Sequence, residues 1–310
     1  MSNIFRPLTL GITLLISSVN SVQAATIYAS GQRFIPAVPG EHDDIRENFI
    51  YEINTQTGVA IPISPETSGL PSALGGTSDQ RLLGFQSGEL VELNPNTAQK
   101  TTIATFPGLS STGLDILENG NTFILPFNNS QTQQLHRLDI DTQTAIPLGS
   151  DTSVGDAIDT ARGTSTGTAE PFIISLGSVN GTIYGVDLDT DSLISLNPNT
   201  GDASIVGNVG VVSSGARSGY SGFSALTGVD TNNDGSFDAL FGSVNFQGGE
   251  RLGGVARYDL TNGTWDLVGT NEGVIFFGFG SSPVIPEPSS MMAVLFSAAV
   301  VGWKRQFKHK

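Results

Sequence analysis

Five times along this chain a short strand runs into an Asn or Asp, passes through a small polar turn and leaves as a second strand. The copies span residues 49–63, 90–103, 135–148, 193–206 and 255–268, and their turns open on Asn54, Asn94, Asp139, Asn197 and Asp259. A side-chain oxygen at that position can accept a backbone amide two residues on, which stabilises the reversal. In two copies Pro95 and Pro198 follow the Asn and fix the turn torsion. An isolated hairpin cannot bury its apolar face, so the copies must stack on something.

The turn-opening residues are 40, 45, 58 and 62 positions apart. A unit of four strands needs roughly 40–50 residues, the size of one propeller blade. Further strands read near residues 73–85, 121–125 and 172–176, between the hairpins. The expected fold is therefore all-β, a β-propeller of five or six blades. A paired β-sandwich is the alternative, because the two longer intervals weaken the period. Residues 150–170, rich in Ser, Thr, Gly and Asp, read as a long loop. Composition agrees with an all-β body: Gly 38 and Pro 15 make turns frequent, and no window of twelve residues carries helical spacing. Hydrophobic residues, at 38%, suffice for a core.

The formal charge is -15, and five of the 14 basic residues (Arg6, Lys304, Arg305, Lys308 and Lys310) lie near the ends. Between residues 25 and 284, 28 acidic residues face nine basic ones. So acidic a body repels phosphate backbones and excludes nucleic acid as a partner; divalent cations and polycationic surfaces suit it better. The absence of Cys removes disulfides, thiolate catalysis and Cys-ligated metals.

The two ends carry sorting patterns. Residues 1–24 combine Arg6, an apolar run over 8–16 and the small-x-small sequence Val22-Gln23-Ala24, the order of a cleaved secretory signal read by the Sec machinery. At the other end, 285–310, Pro286-Glu287-Pro288 precedes 15 uncharged residues (289–303) and a basic cluster of Lys304, Arg305, Lys308 and Lys310. That span is short of the roughly 20 residues of a comfortable bilayer helix, and the cluster would stay on the cytoplasmic side. Proline keeps the preceding linker extended and accessible. This three-part order resembles the PEP-CTERM sorting signal of Gram-negative bacteria. The resemblance implies processing by an exosortase near Pro286, Glu287 and Pro288. It also implies a membrane-anchored intermediate through helix 289–303, and release to the cell surface, often among exopolysaccharide. A permanent tail anchor is the alternative.

One stretch has coordination chemistry. Asp230, Asn232, Asp234, Ser236 and Asp238 place oxygens at positions 1, 3, 5, 7 and 9 of a loop, with Gly235 at the sharp turn. A hard cation such as Ca2+ takes six to eight such oxygens, here the side chains of Asp230, Asn232, Asp234 and Asp238 with the Ser236 carbonyl. Position 12, a Glu in helical calcium loops, is Phe241. Strands flank the loop on both sides. Over residues 225–243 this resembles the β-hairpin calcium loops of FG-GAP repeats in integrin-like propellers. An Asx-rich turn needing no metal is the alternative. A partial echo, Asp187-Leu188-Asp189-Thr190-Asp191, lacks the Gly and the last acid and reads as a turn.

No phosphate loop stands between a strand and a helix, and no catalytic residue is assigned. His136 sits in a repeated hairpin and reads as a strand residue; His42, beside Glu41, Asp43 and Asp44, is a weak metal or base candidate. Carboxylate pairs for glycoside hydrolysis are spatial, so spacing is silent on them. Two functions are carried forward: a non-enzymatic surface module binding exopolysaccharide or protein, and a calcium-dependent propeller hydrolase of lactonase or glycosidase type.

Overall fold

The computed structural model describes residues 25–35, 45–77, 79–126, 133–150, 155, 173–187, 192–208, 220–232, 234–246 and 252–281. The described residues begin with β1 (Thr26–Ile35), β2 (Ile45–Asn54) and β3 (Ala60–Pro62). Four sheets follow, each an antiparallel meander. The first holds β4 (Ala73–Gly76), β5 (Leu82–Gln86), β6 (Glu89–Leu93) and β7 (Lys100–Thr105). The second holds β8 (Ser111–Ile116), β9 (Thr122–Pro126), β10 (His136–Asp139) and β11 (Thr144–Pro147). The third holds β12 (Ile173–Val179), β13 (Thr182–Asp187), β14 (Ser192–Leu196) and β15 (Ala203–Asn208). The fourth holds β16 (Tyr220–Val229), β17 (Ala239–Phe246), β18 (Leu252–Asp259) and β19 (Thr264–Glu272). The last strand among the described residues, β20 (Val274–Ser281), pairs with β1 and completes the order β20-β1-β2-β3.

The result is a five-bladed wheel closed by its own last strand. Five blades answer the alternatives of six blades and of a sandwich. The two longer intervals have plain causes: residues 148–172 stand between β11 and β12, and β16 to β18 are the long strands of the fourth meander.

Every repeated hairpin forms the outer two strands of a blade. Asn54 Oδ1 accepts the amides of Gln56 (2.9 Å) and Thr57 (3.0 Å). Asn94 does the same with Asn96 and Thr97, Asn197 with Asn199 and Thr200, and Asp259 with Thr261 and Asn262. Asp139 Oδ1 takes the amide three residues on, Thr142, at 3.0 Å. Four residues past each opener the backbone turns left-handed: Gly58, Ala98, Gln143, Gly201 and Gly263 have φ between 52° and 74°. Glycine adopts that conformation freely; Ala98 and Gln143 hold it at a cost.

The core lies between blades, in five apolar seams, as period-2 alternation on two-sided sheets requires. Ile50 meets Leu74, Leu82 and Val91; Phe85 and Ala73 meet Leu114 and Ile116. Phe123 and Leu125 meet Leu176 and Ile183; Val179 and Leu193 meet Leu226 and Leu240. Ala225 and Phe241 close the circuit on Tyr51 and Phe276.

At the axis β4, β8, β12, β16 and β20 touch in a cycle, and β8 and β20, two places apart in that ring, come within 8 Å between Cα atoms. Small residues permit this approach. A Cβ on Gly177 of β12 would stand 2.8 Å from the Thr227 N and Cα of β16, and one on Gly113 of β8 would stand 2.9 Å from Leu176 Cγ. Hydroxyls then stitch neighbouring inner strands. Ser175 Oγ accepts the Leu226 amide at 2.6 Å, Ser224 Oγ donates to the Phe276 carbonyl, and Ser281 Oγ donates to the Gly228 carbonyl.

Candidate functional site

The loop joining β16 to β17 leaves Val229 and re-enters at Ala239, which are register partners. Asp230, at its base, is fully buried, and its two oxygens accept the amides of Asp234 (3.2 Å) and Gly235 (2.9 Å). Asn232 Oδ1 accepts the Asp234 amide at 2.9 Å, and its Nδ2 donates to Asp234 Oδ2 at 3.1 Å. Asp234 Oδ1 in turn accepts the Ser236 amide. Gly235 has φ +92° and open space around it, as the sharp turn demands. Asp230, Asn232, Asp234 and Ser236 are thus wound together. Asp238 is drawn elsewhere, accepting the amide and the hydroxyl of Thr231 at 2.8 and 2.9 Å.

Each bonded carboxylate oxygen keeps a second lone pair, so the donor set suits a hard cation in kind. Its present arrangement is a self-bonded Asx turn. Among the described residues, no three acidic or imidazole side chains converge on one point. A cation here would compete with Thr231 for Asp238.

The loop is also a clamp between blades. Phe237 is buried; its amide donates to Glu118 Oε1, in the β8–β9 turn, at 3.0 Å, and its carbonyl accepts the Asn180 amide, in the β12–β13 turn, at 3.0 Å. Three blades therefore meet at one residue.

Beneath this clamp lies a group the sequence reading missed. Asp115, on inner strand β8 opposite Phe123, is only 5% exposed. Ser178, on the adjacent strand β12 and 0% exposed, stands beside it. Burial pushes the Asp115 carboxyl up to about 7; the hydroxyl and amide of Ser178 and the amide of Ile116 draw it back, while Glu118 adds repulsion. The one signal available beforehand was an acid flanked by Leu114 and Ile116 in a strand.

Asp187, which opens the partial echo, ends β13 fully buried, and residues 188–191 lie outside the described residues. His136 is a half-buried β10 residue with Nδ1 2.8 Å from the Gln134 carbonyl. His42 lies outside the described residues, as do 1–24, Pro286, Glu287, Pro288, the 289–303 span and Lys304, Arg305, Lys308 and Lys310. Among the described residues no helix is long and apolar enough to cross a membrane.

Fold and loop together define the class: a closed five-bladed β-propeller with an inter-blade Asx loop. No protein-family model and no curated protein matches the chain. Among solved structures it is similar to a protein of unknown function from Bacteroides caccae, at 10% identity over 84% of this chain and 100% of that one, with a TM-score of 0.39. It is also similar to a chain of a nidogen/laminin complex, at 12% identity over 83% and 98%, TM-score 0.42. A third is a puromycin hydrolase mutant, at 14% identity over 80% of this chain and 36% of the hydrolase, TM-score 0.37. The five-bladed assignment rests on the strand pairing of this chain.

Proposed function

We propose that this protein is exported and works at the cell surface as a non-enzymatic binding module for exopolysaccharide or another surface protein. On this reading residues 1–24 direct export through the Sec machinery. Pro286, Glu287 and Pro288 present the tail to an exosortase, while the 289–303 helix and the cluster Lys304, Arg305, Lys308 and Lys310 hold it in the membrane until then. The observation that supports a binding role is the tight inner ring. Ser175, Ser224 and Ser281, on its strands, spend hydroxyls on neighbouring backbone, which leaves recognition to loops and rims. Calcium is proposed as a structural ion on Asp230, Asn232, Asp234, the Ser236 carbonyl and Asp238, supplying charge neutralisation to three carboxylates.

Retention of the purified protein on exopolysaccharide, with no turnover across lactone and glycoside panels, is the expected result. Turnover without retention would replace this reading by the calcium-dependent hydrolase. Mass spectrometry of the surface form should find no peptide beyond Pro288. Calcium at about a hundred times its dissociation constant should stabilise the protein by about 2.7 kcal/mol, a rise in Tm of roughly 5–10 °C. Asp230→Asn should abolish both that rise and the calorimetric heat.

A further inference from the structure

Three Asn-Gly pairs stand in this chain, at 119–120, 180–181 and 262–263, and each lies in a tight turn. In this dipeptide a backbone amide readily attacks the preceding side chain, because glycine puts no Cβ in the way. Two of the three are held back. The Gly120 amide donates to the Leu117 carbonyl and the Gly263 amide to the Asp259 carbonyl, both at 2.8 Å. Their carboxamides are tied as well: Asn119 Oδ1 accepts the Asn121 amide, and Asn262 Nδ2 donates to Asp259 Oδ2.

Asn180-Gly181 differs on both counts. Val179 pairs with Thr182, so these two residues are the whole turn between β12 and β13, with φ of 51° and 73°. Two positive values mark a type I′ turn. Both residues are exposed, and neither the Gly181 amide nor the Asn180 carboxamide enters a hydrogen bond among the described residues. A Cβ on Gly181 would meet nothing within 4 Å. The peptide plane between them can therefore flip to the type II′ form, with Asn180 ψ at roughly −120°, and break no bond. That flip brings the Gly181 nitrogen round to the side of the Asn180 Cβ. The same rotation at Gly120 or Gly263 would cost the bond to Leu117 or Asp259.

We infer that Asn180 is a self-modification site: the Gly181 nitrogen bonds to the Asn180 Cγ, the Cγ–Nδ2 bond breaks, and ammonia leaves with the proton that the Gly181 amide gives up. Water then opens the cyclic imide at either carbonyl, giving Asp or isoaspartate at 180. The place matters because the Asn180 amide holds the Phe237 carbonyl. Isoaspartate adds a backbone carbon next to that bond, and either product adds a negative charge to a clamp that already uses Glu118. Modification loosens the β16–β17 loop.

Peptide mass spectrometry of the full chain, incubated folded at mildly alkaline pH, reads all three sites in one sample. Residue 180 should convert at least about fivefold faster than 119 or 262, each of which must first break a hydrogen bond. In strong urea the three rates should converge, because only the fold distinguishes them. Equal rates in the folded protein, a faster site at 119 or 262, or an order that persists in urea overturns the inference. The aged form, separated by its extra charge, should melt below the fresh protein; an unchanged Tm overturns the effect on the clamp.

Discussion

The outer hairpins and the inner ring of this wheel are built from the same antiparallel strands, yet they solve opposite problems. On the rim each reversal is local: an Asn or Asp opens it, a left-handed residue closes it, and the bonds span two or three positions. At the axis nothing is local. Gly177 matters because Thr227 passes it, and Ser224 finds its partner at Phe276, 52 positions away. A rim turn is replaceable piece by piece, whereas a ring residue is constrained by two blades at once. Damage should therefore be small and additive outside, large and cooperative inside.

The sharpest way to break this contrast is Gly177→Val. Its Cβ would meet backbone atoms of β16, which cannot swing aside, so about 3 kcal/mol or more should be lost, with a fall in Tm on the order of 10 °C. Melting within about 2 °C of the wild type would show that the ring yields easily. Asn197→Ala tests the rim: two amides lose their acceptor but remain exposed to water, so urea denaturation should register about 1 kcal/mol. An effect as large as that at Gly177 would erase the distinction. Smallest of all is Gln143→Gly. Relief of the left-handed backbone at Gln143 outweighs the added freedom of the unfolded chain, for a gain of about 0.5 kcal/mol. A loss would mean that Gln143 makes compensating contacts.

The same contrast explains how much could be read beforehand. The five hairpins were legible to the residue because Asn54, Asn94, Asp139, Asn197 and Asp259 bond to amides inside their own turn. Winding of the Asp230 loop was legible for the same reason. Its Asp238 was not: Thr231, a hydroxyl with no obvious role in the spacing, claims it. Blade number was open between five and six because pairing of β20 with β1 joins the two ends of the wheel and leaves no periodic mark. Asp115 escaped notice because its character comes from burial between two blades, and the clamp at Phe237 because Glu118 and Asn180 come from two more turns.

Closure by β20 has a consequence for how this protein comes into being. Ile27 faces Ser281 across the seam, so β1 waits for β20 before its inner flank is covered. A ribosome releasing a product without β20 would release a split washer, with bare hydrogen-bonding groups along β1 and Phe276 missing from beside Tyr51. Such a lip is a template for clumping and an invitation to proteases. Only a chain carrying β20 can lock, which makes that strand a check on everything synthesised before it.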